Sequence, residues 1–211
     1  MPDLKNLLVI GGGGHAHVIA DAAHAARRYE RICLLSPAPV DLKQDPRFNT
    51  RHGDPDAEKF PPGLWESIVA IGDASIREQK QSELLMKGYQ LTTIVHPTAY
   101  VSETATIGQG TAILAGAVVQ TSTSLSEGVI INNNATVDHH CSVGRFAHIC
   151  PGVAIAGGNR IGARCTIGTG ASVRPNCTIS DDTMVGAGSA VVGDLTGGTW
   201  TGVPARKLHR T

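Results

Sequence analysis

Residues 131–149 read INNNATVDHHCSVGRFAHI, and this stretch shows the pattern that decides the fold of the chain. An aliphatic residue returns at every sixth position, and the same frame continues in both directions without an insertion. Its seventeen members are Val95, Val101, Ile107, Ile113, Val119, Leu125, Ile131, Val137, Val143, Ile149, Ile155, Ile161, Ile167, Val173, Ile179, Val185 and Val191. A fixed short period of this kind is typical of a β-solenoid, since neither a helix nor a hairpin repeats every six residues.

A second position of the repeat, four places after each aliphatic residue, holds small side chains. In thirteen of sixteen cases it is Ala99, Ala105, Thr111, Ala117, Thr123, Ala135, Cys141, Ala147, Cys165, Ala171, Cys177, Thr183 or Ser189, and the exceptions are Val129, Val153 and Asn159. A branched and a small side chain then alternate in a narrow interior, which closes only if one partner is small. We predict short parallel strands about 4.8 Å apart, joined by tight turns that suit glycine and asparagine.

Composition and charge argue against several classes of protein. Eighteen basic and eighteen acidic residues give a formal net charge of zero, which disfavours a nucleic-acid-binding or membrane-binding surface. No apolar run approaches the roughly 18 residues of a membrane span, and the run 7–10 is too short for a signal peptide. The five cysteines form no CxxC pair, so we interpret them as buried thiols rather than disulfides or metal ligands. A reducing cytoplasm is the expected location.

Residues 1–92 follow a different pattern, in which apolar runs alternate with helical segments. The predicted elements are strands at 7–10, 32–35, 67–71 and 91–95 and helices at 18–23 and 75–87. This order predicts a small Rossmann-like α/β domain over residues 1–92, built around a βαβ unit. The solenoid domain then covers residues 93–211.

The glycine-rich turn of the first domain matches G-x-G-x-x-A through Gly11, Gly13 and Ala16. A strand, a glycine turn and a helix in this order direct backbone N–H groups and a helix N-terminus at a phosphate. A dinucleotide site would also need an acidic residue at the end of the second strand, where Leu35 and Ser36 stand. We therefore disfavour a redox site, and leave open a nucleotide-linked ligand or a purely structural turn.

The chemistry of the solenoid is concentrated in residues 132–141, NNNATVDHHC. Two adjacent histidines in a turn are unlike core residues, so we expect His139 to be accessible. Histidine titrates near neutral pH, which suits a general base. The alternative is a surface histidine without a role.

Several spaced motifs accompany this segment. They are Asn132 followed by Val137-Asp138-His139-x-Cys141, then Gly144-x-Phe146-x-His148, Ala156-Gly157-Gly158-Asn159 and Gly202-Val203-Pro204-Ala205. Together with the glycine turn, they resemble a sugar-acetyltransferase branch of the hexapeptide-repeat acyltransferases. That branch includes bacterial nucleotide-4-amino-sugar N-acetyltransferases and sialic acid O-acetyltransferases. The resemblance covers nearly the whole chain and implies a left-handed parallel β-helix with three hexads per coil.

The resemblance also implies an activity and a set of site residues. The expected reaction transfers an acetyl group from acetyl-CoA to the amine of a nucleotide-linked 4-amino-4,6-dideoxy sugar, without a metal, in bacterial surface glycan or glycoprotein biosynthesis. The implied catalytic residues are His139, as general base, with Asp138 and His140. The implied acetyl-CoA contacts are His148, Gly157, Thr169 and Ala187, and the implied substrate contacts are Gly13, Gly14, His15, Gly72 and Asn132.

Two positions depart from the family pattern. The residue after the catalytic histidine is usually Glu or Asp, which orients the ring, but here it is His140. Either Asp138 supplies the carboxylate from the other side, or the base is tuned less strongly. Leu35 and Ser36 replace the acidic residues that relatives tend to hold near the nucleotide, which affects base and ribose recognition.

The spacing of two histidines bears on the oligomeric state. His139 and His148 are nine residues apart, half of an eighteen-residue coil, so we expect them on different sides of one coil. One acetyl group could hardly contact both within a single subunit. We therefore expect a homotrimer whose active site forms between subunits.

Other functions remain open. An O-acetyltransferase acting on sialic acid or on a surface polysaccharide unit would not need the glycine turn to bind a nucleotide. A zinc-dependent β-helix lyase would need three histidine ligands, for which His139, His140 and His148 are candidates, although adjacent histidines do not readily share one tetrahedral ion. A non-catalytic scaffold is compatible with His140.

Overall fold

The computed structural model describes residues 5–36, 45, 47–56 and 58–208. The chain divides into two compact units, Met1–Pro97 and Thr98–Thr211. The first unit therefore includes residues 93–97, which the sequence analysis assigns to the second domain. No helix in the described ranges is long and apolar enough to cross a membrane.

The first unit is a parallel sheet with two helices, as predicted for a Rossmann-like domain. Its elements are β1 (Lys5–Ile10), α1 (Gly14–Ala25), β2 (Tyr29–Ser36), β3 (Asn49–His52), β4 (Trp65–Val69), α2 (Ala74–Met86), β5 (Gln90–Leu91) and β6 (Ile94–Val95). Five of the strands form a sheet in the order β3-β2-β1-β4-β5, and all their pairings are parallel. The central strand β1 is buried from Leu7 to Ile10, as expected of a strand covered on both faces.

The sequence predictions for this unit missed one strand and gave the wrong bounds for two others. The edge strand β3 was missed because its sequence, NTRH, has no apolar residue to reveal it. The predicted strand 91–95 is in fact two short strands, β5 and β6, separated by Thr92 and Thr93. The predicted strand 67–71 lies two residues earlier, at Trp65–Val69.

The second unit consists almost entirely of two-residue strands, one for each hexad. They are β7 (Tyr100–Val101), β8 (Thr106–Ile107), β9 (Ala112–Ile113), β10 (Val118–Val119), β11 (Ser124–Leu125), β12 (Ile130–Ile131), β13 (Thr136–Val137), β14 (Ser142–Val143), β15 (His148–Ile149), β16 (Ala154–Ile155), β17 (Arg160–Ile161), β18 (Thr166–Ile167), β19 (Ser172–Val173), β20 (Thr178–Ile179), β21 (Thr183–Val185), β22 (Ala190–Val191), β23 (Gly198–Thr201) and β24 (Arg206–Lys207). The prediction of a parallel β-helix of hexapeptide repeats is confirmed.

The strands form three faces. The first face has the order β7-β10-β13-β16-β19-β22, the second β8-β11-β14-β17-β20, and the third runs β9-β12-β15-β18-β21-β23-β24. From β7 to β22 the paired residues are eighteen positions apart, for example Val119 with Val137. Each coil therefore contributes one strand to each face. The spacing ends at β23, whose residues pair with residues of β21 fifteen positions earlier, and β24 pairs with β23 in the antiparallel direction.

The interior is filled as the repeat predicts. Ladder residues such as Ile113 and Ile131, and small residues such as Ala135 and Ala171, are fully buried. Burying one branched aliphatic side chain contributes about 1.5–3 kcal/mol, so the ladder is the main source of stability. Buried Asn159 is tolerated because its amide donates to the Ala156 and Arg174 carbonyls and its oxygen accepts from the Cys177 N–H.

The corners between the faces have a regular backbone. The third residue after a ladder position adopts a left-handed conformation in most hexads, with φ between 54° and 72°. Glycine often occupies this position, but Asn134, His140 and Asn176 do so as well. The corners thus hold side chains in fixed positions on the outside of the β-helix.

Candidate functional site

The segment around His139 forms a corner between the first and second faces. His139 and His140 follow β13 and precede β14. Corners of successive coils are stacked, because the His140 N–H donates to the Thr121 carbonyl (3.0 Å) and the Gly158 N–H donates to the His139 carbonyl (2.9 Å). We refer to residues 138–141, with Gly157 of the next coil, as the His139 corner.

The imidazole of His139 is accessible and has two polar neighbours. Its side chain is 55% exposed. Its Nδ1 lies 3.1 Å from Nδ1 of His140, and the two rings meet edge to face with centroids 5.2 Å apart. Asp138 Oδ1 accepts from the His139 backbone N–H, while Oδ2 lies 4.0 Å from Nε2 of the ring. Thus His140, and not Asp138, is within hydrogen-bond distance of a ring nitrogen.

Gly157 lies directly beside this ring. A Cβ built on Gly157 would come 2.5 Å from Nε2 of His139 and 2.9 Å from Nδ1. No left-handed φ is involved at Gly157, in contrast to Gly158, where φ is 72°. Gly157 is therefore required for space rather than for backbone conformation. Its place beside His139 also follows from sequence, because the two residues are one coil of eighteen residues apart.

His148 belongs to another part of the β-helix. It lies on β15, in the third face, while His139 follows a strand of the first face. Asn132 Nδ2 lies 3.1 Å from Nε2 of His148, and Asn132 Oδ1 accepts from the Asn133 N–H. The amide of Asn132 is thus oriented to donate to His148, which leaves the ring proton of a neutral His148 on Nδ1. Neither this pair nor its geometry follows from the spacing of the two residues in the sequence.

Thr169 and Ala187 occupy another corner, at the end of the third face. They are exposed, they follow β18 and β21, and they are stacked one coil apart by the Gly188 N–H, which donates to the Thr169 carbonyl (2.9 Å). The structure therefore divides the four predicted acetyl-CoA contacts. Gly157 lies at the His139 corner, while His148, Thr169 and Ala187 lie on or beside the third face.

The cysteine nearest to His139 faces inward. Cys141 is buried, and its thiol donates to the Ala156 carbonyl at 3.3 Å. Burial raises the pKa of this thiol above its usual range. Cys141 is therefore not suited to act as a nucleophile beside His139. All five cysteines are free thiols.

The glycine turn of the first unit has one closely packed residue and two open ones. Gly11 has φ 148°, and a Cβ there would come 2.6 Å from the Ala70 carbonyl oxygen. Gly13, the N-cap of α1, and Gly14, its first residue, are exposed, and a Cβ on either would meet nothing within 4 Å. Open space therefore lies in front of the helix N-terminus, where a phosphate is favoured.

Below this turn lies a residue that the sequence did not reveal. Arg77 of α2 is fully buried, and its guanidinium donates to the carbonyls of Ile71 (2.7 Å) and Gly72 (2.8 Å). An arginine on an amphipathic helix is ordinarily predicted to be exposed, so no sequence signal was available. Burial, with a contribution from Arg77, lowers the pKa of His15 from 6.5 to about 4. His15 is therefore neutral at neutral pH.

A cavity of about 290 Å³ lies elsewhere in the first unit. It is lined by Arg31, Cys33, Asn49, Arg51, Lys59, Phe60 and Trp65. It contains none of the predicted site residues. Among the described residues, no three His, Cys, Asp or Glu side chains are grouped so as to hold a metal ion.

Both the first unit and the chain as a whole are similar to known proteins. Residues 6–84 match the family model of the PglD N-terminal domain. Over 122 residues the chain is 31% identical to UDP-N-acetylbacillosamine N-acetyltransferase of Bacillus subtilis, an alignment that covers 53% of this chain. The aligned part spans about half, 52%, of that enzyme's length.

Solved structures align over much greater lengths. The acetyltransferase domain of PglB from Neisseria gonorrhoeae, in complex with acetyl coenzyme A, is 38% identical, with a TM-score of 0.91 over 97% of this chain and 99% of that one. PerB from Caulobacter crescentus, in complex with CoA and GDP-perosamine, is 33% identical, with a TM-score of 0.87 over 96% of each chain. The protein therefore belongs to the hexapeptide-repeat acetyltransferase family of the PglB acetyltransferase domain and PerB, and begins with a PglD N-terminal domain.

Proposed function

We propose that the protein is an acetyl-CoA-dependent N-acetyltransferase acting on the amine of a nucleotide-linked 4-amino-4,6-dideoxy sugar, in bacterial surface glycan or glycoprotein biosynthesis. The observation that carries this proposal is the accessible His139 imidazole, seated beside Gly157 and held by its neighbours. Family membership over almost the whole chain supports it.

In this reaction His139 is the general base. Nε2 of His139 takes the proton of the sugar amine as the amine attacks the thioester carbonyl. When the C–S bond breaks, the CoA thiolate takes this proton from His139 and leaves as the thiol, which restores the neutral base. A thioester is already activated, so positioning, proton removal and oxyanion stabilisation suffice. Direct transfer is supported by the inward-facing Cys141, since no other thiol is placed beside His139 in the described corner.

Acetyl-CoA is proposed to contact Gly157, His148, Thr169 and Ala187. The Gly157 N–H donates to no group among the described residues, so it is available to a thioester oxygen next to His139. Thr169 and Ala187 offer exposed positions in line along one corner. Asn132 is then a residue that orients His148 through the 3.1 Å contact.

The nucleotide-sugar is proposed to lie at the glycine turn. Gly13 and Gly14 leave room for a diphosphate at the N-terminus of α1. Gly72 is the other proposed substrate contact, and its carbonyl accepts a hydrogen bond from the Arg77 guanidinium. A neutral His15 offers a hydrogen bond without charge. Leu35 and Ser36 supply no carboxylate for the ribose, so recognition there depends on other groups.

The active site is proposed to form between the subunits of a homotrimer. His139 and His148 belong to different faces, which supports a site that neighbouring subunits complete. The outward residues of the first face carry no charge; they are Tyr100, Val118, Thr136, Ala154, Ser172 and Ala190. An uncharged face of mostly small residues next to His139 suits contact with a second copy.

The oligomeric proposal is tested by placing a charge on that face. Ala154→Arg should reduce the trimer to monomers in analytical ultracentrifugation and abolish turnover. Thr178→Arg, at an exposed outward position of the second face, is the matched control and should leave both unchanged. A fully active monomer would contradict the shared site.

The function itself is tested with a panel of nucleotide-4-amino sugars incubated with acetyl-CoA, following release of free CoA thiol. Transfer to one of them, and none to sialic acid, supports N-acetylation; acetylation of sialic acid instead points to the O-acetyltransferase. His139→Ala should lower kcat by at least about 100-fold, the usual contribution of a general base. The control His24→Ala changes an exposed histidine at the end of α1 and should be silent.

We further propose a cytoplasmic location. The supporting observation is that all five cysteines are free thiols and four of them are buried. Cell fractionation with the acetyl-CoA-dependent activity as the marker tests this, and activity in a periplasmic fraction would contradict it.

A further inference from the structure

The contact between the two Nδ1 atoms of His139 and His140 has a chemical consequence. At 3.1 Å the two nitrogens form a hydrogen bond only if one of them carries a proton and the other does not. If His140 donates, the proton of a neutral His139 is on Nε2, and His139 cannot accept another proton there. If His139 donates, its Nε2 lone pair is free to act as a base.

We propose that His140 is a positioning residue that holds His139 in the second of these states. His140 Nδ1 accepts the Nδ1–H of His139 and so keeps the Nε2 lone pair of a neutral His139 free. When Nε2 of His139 takes the amine proton, the Nδ1–H stays in place and the positive ring still donates to His140. This inference rests on the proposed role of His139 as base.

The structure fixes His140 well enough for this role. Its backbone is left-handed, with φ 55°, and its N–H donates to the Thr121 carbonyl of the preceding coil at 3.0 Å. Its ring meets that of His139 edge to face, with an interplanar angle of 81°. The ring that accepts this hydrogen bond is thus carried by a hydrogen-bonded corner of the β-helix.

The other groups around His139 do not supply this hydrogen bond. Asp138 Oδ1 is already an acceptor for the His139 backbone N–H, and Oδ2 is 4.0 Å from Nε2, the other ring nitrogen. The thiol of Cys141 faces inward, and the stacked corner residues Thr121 and Gly157 have no titratable side chain. Among the described residues, the titratable side chains with a contact to the His139 ring are Asp138 and His140, and the contact at Nδ1 is made by His140.

The left-handed backbone of His140 dictates the choice of variants. His140→Gly removes the acceptor without strain. His140→Asn places an amide oxygen where Nδ1 stands, and His140→Asp places a carboxylate oxygen there; both residues tolerate this backbone. Ser122→Gly changes the equivalent left-handed position of the preceding coil and is the matched control.

The expected readout is a pH profile as well as a rate. His140→Gly should lower kcat about 10-fold and move the acidic limb of kcat/KM to lower pH by about one unit, because the protonated base loses its partner. His140→Asn should recover most of the rate, His140→Asp should move the limb to higher pH, and Ser122→Gly should match the wild type. An unchanged limb in His140→Gly, or failure of His140→Asn to recover activity, would overturn the proposal.

A measurement without substrate separates this inference from the proposed function. Carbethoxylation of His139, followed by mass spectrometry as a function of pH, reports the availability of its Nε2 lone pair. The pH midpoint should fall in His140→Gly and rise in His140→Asp even if no sugar is acetylated. An identical midpoint in wild type and His140→Gly would refute the role of His140 whatever the substrate.

Discussion

The glycine turn and the His139 corner both depend on glycine, but for different reasons. In the turn, Gly11 approaches a backbone oxygen, that of Ala70, which cannot move. In the corner, Gly157 approaches the side chain of His139, which can rotate away. Gly11 is therefore required by the fold of the first unit, whereas Gly157 is required by the position of the His139 ring.

The open glycines form a third class. Gly13 and Gly14 are exposed, and a Cβ on either would meet nothing within 4 Å, so no packing contact requires glycine there. The three cases thus differ in what a Cβ would meet, which is a backbone oxygen at Gly11, the His139 ring at Gly157 and open space at Gly13 and Gly14.

The largest effect is expected for Gly11→Ala. The added Cβ meets the Ala70 oxygen at 2.6 Å, and φ of 148° is unfavourable for alanine. We expect a loss of about 4 kcal/mol in the unfolding free energy of the first unit. Urea unfolding followed by the fluorescence of Trp65 measures this, with Trp200→Phe as the background so that only the first unit reports. Unchanged stability would show that the turn can relax.

The next largest effect is a pH dependence of stability caused by partly buried His15, near the start of α1. The pKa of His15 is lowered to about 4 in the folded chain, from 6.5, so the unfolded chain binds the proton more tightly. Stability is complete above pH 6.5 and falls as the pH decreases towards 4, by about 3 kcal/mol in all. His15→Gln should flatten this dependence of the unfolding free energy, and an equally steep curve in the variant would assign the effect to other groups.

Gly157→Ala should act on turnover and not on the fold. The Cβ displaces the His139 ring, and a misplacement of about 1 Å costs on the order of 100-fold in rate. The melting temperature should change little, because the side chain can rotate. Gly193→Ala is the matched control, since it lies at the same corner two coils later and its Cβ would meet nothing within 4 Å. Equal loss of kcat in both variants would contradict the distinction.

The smallest effect is expected for Gly13→Ala. Its Cβ enters open space, so the unfolding free energy should stay the same. If a diphosphate occupies that space, KM for the nucleotide-sugar should rise about 10-fold while KM for acetyl-CoA does not change. Unchanged KM for both substrates would argue that the ligand lies elsewhere in the first unit.

Much of the fold could be predicted because its signals are local and repeated. The sixth-residue ladder determined the parallel direction of the strands, the inward and outward positions and the length of a coil. The prediction failed where no local signal exists. Strand β3 is polar and pairs with one neighbour only, and Arg77 is buried by contacts with carbonyls that are five and six residues away.

By itself, the sequence determined the β-helix, its coil length and the identity of the exposed histidines, because a period of six with β-branched residues leaves no other regular structure. The tertiary structure alone decided which hydrogen-bond partners His139 and His148 have. His139 pairs with His140 rather than Asp138, and His148 pairs with Asn132. Hydrogen bonds depend on distances of a few tenths of an ångström, and those are set by corner conformation and by the stacking of coils, which spacing in the sequence does not specify.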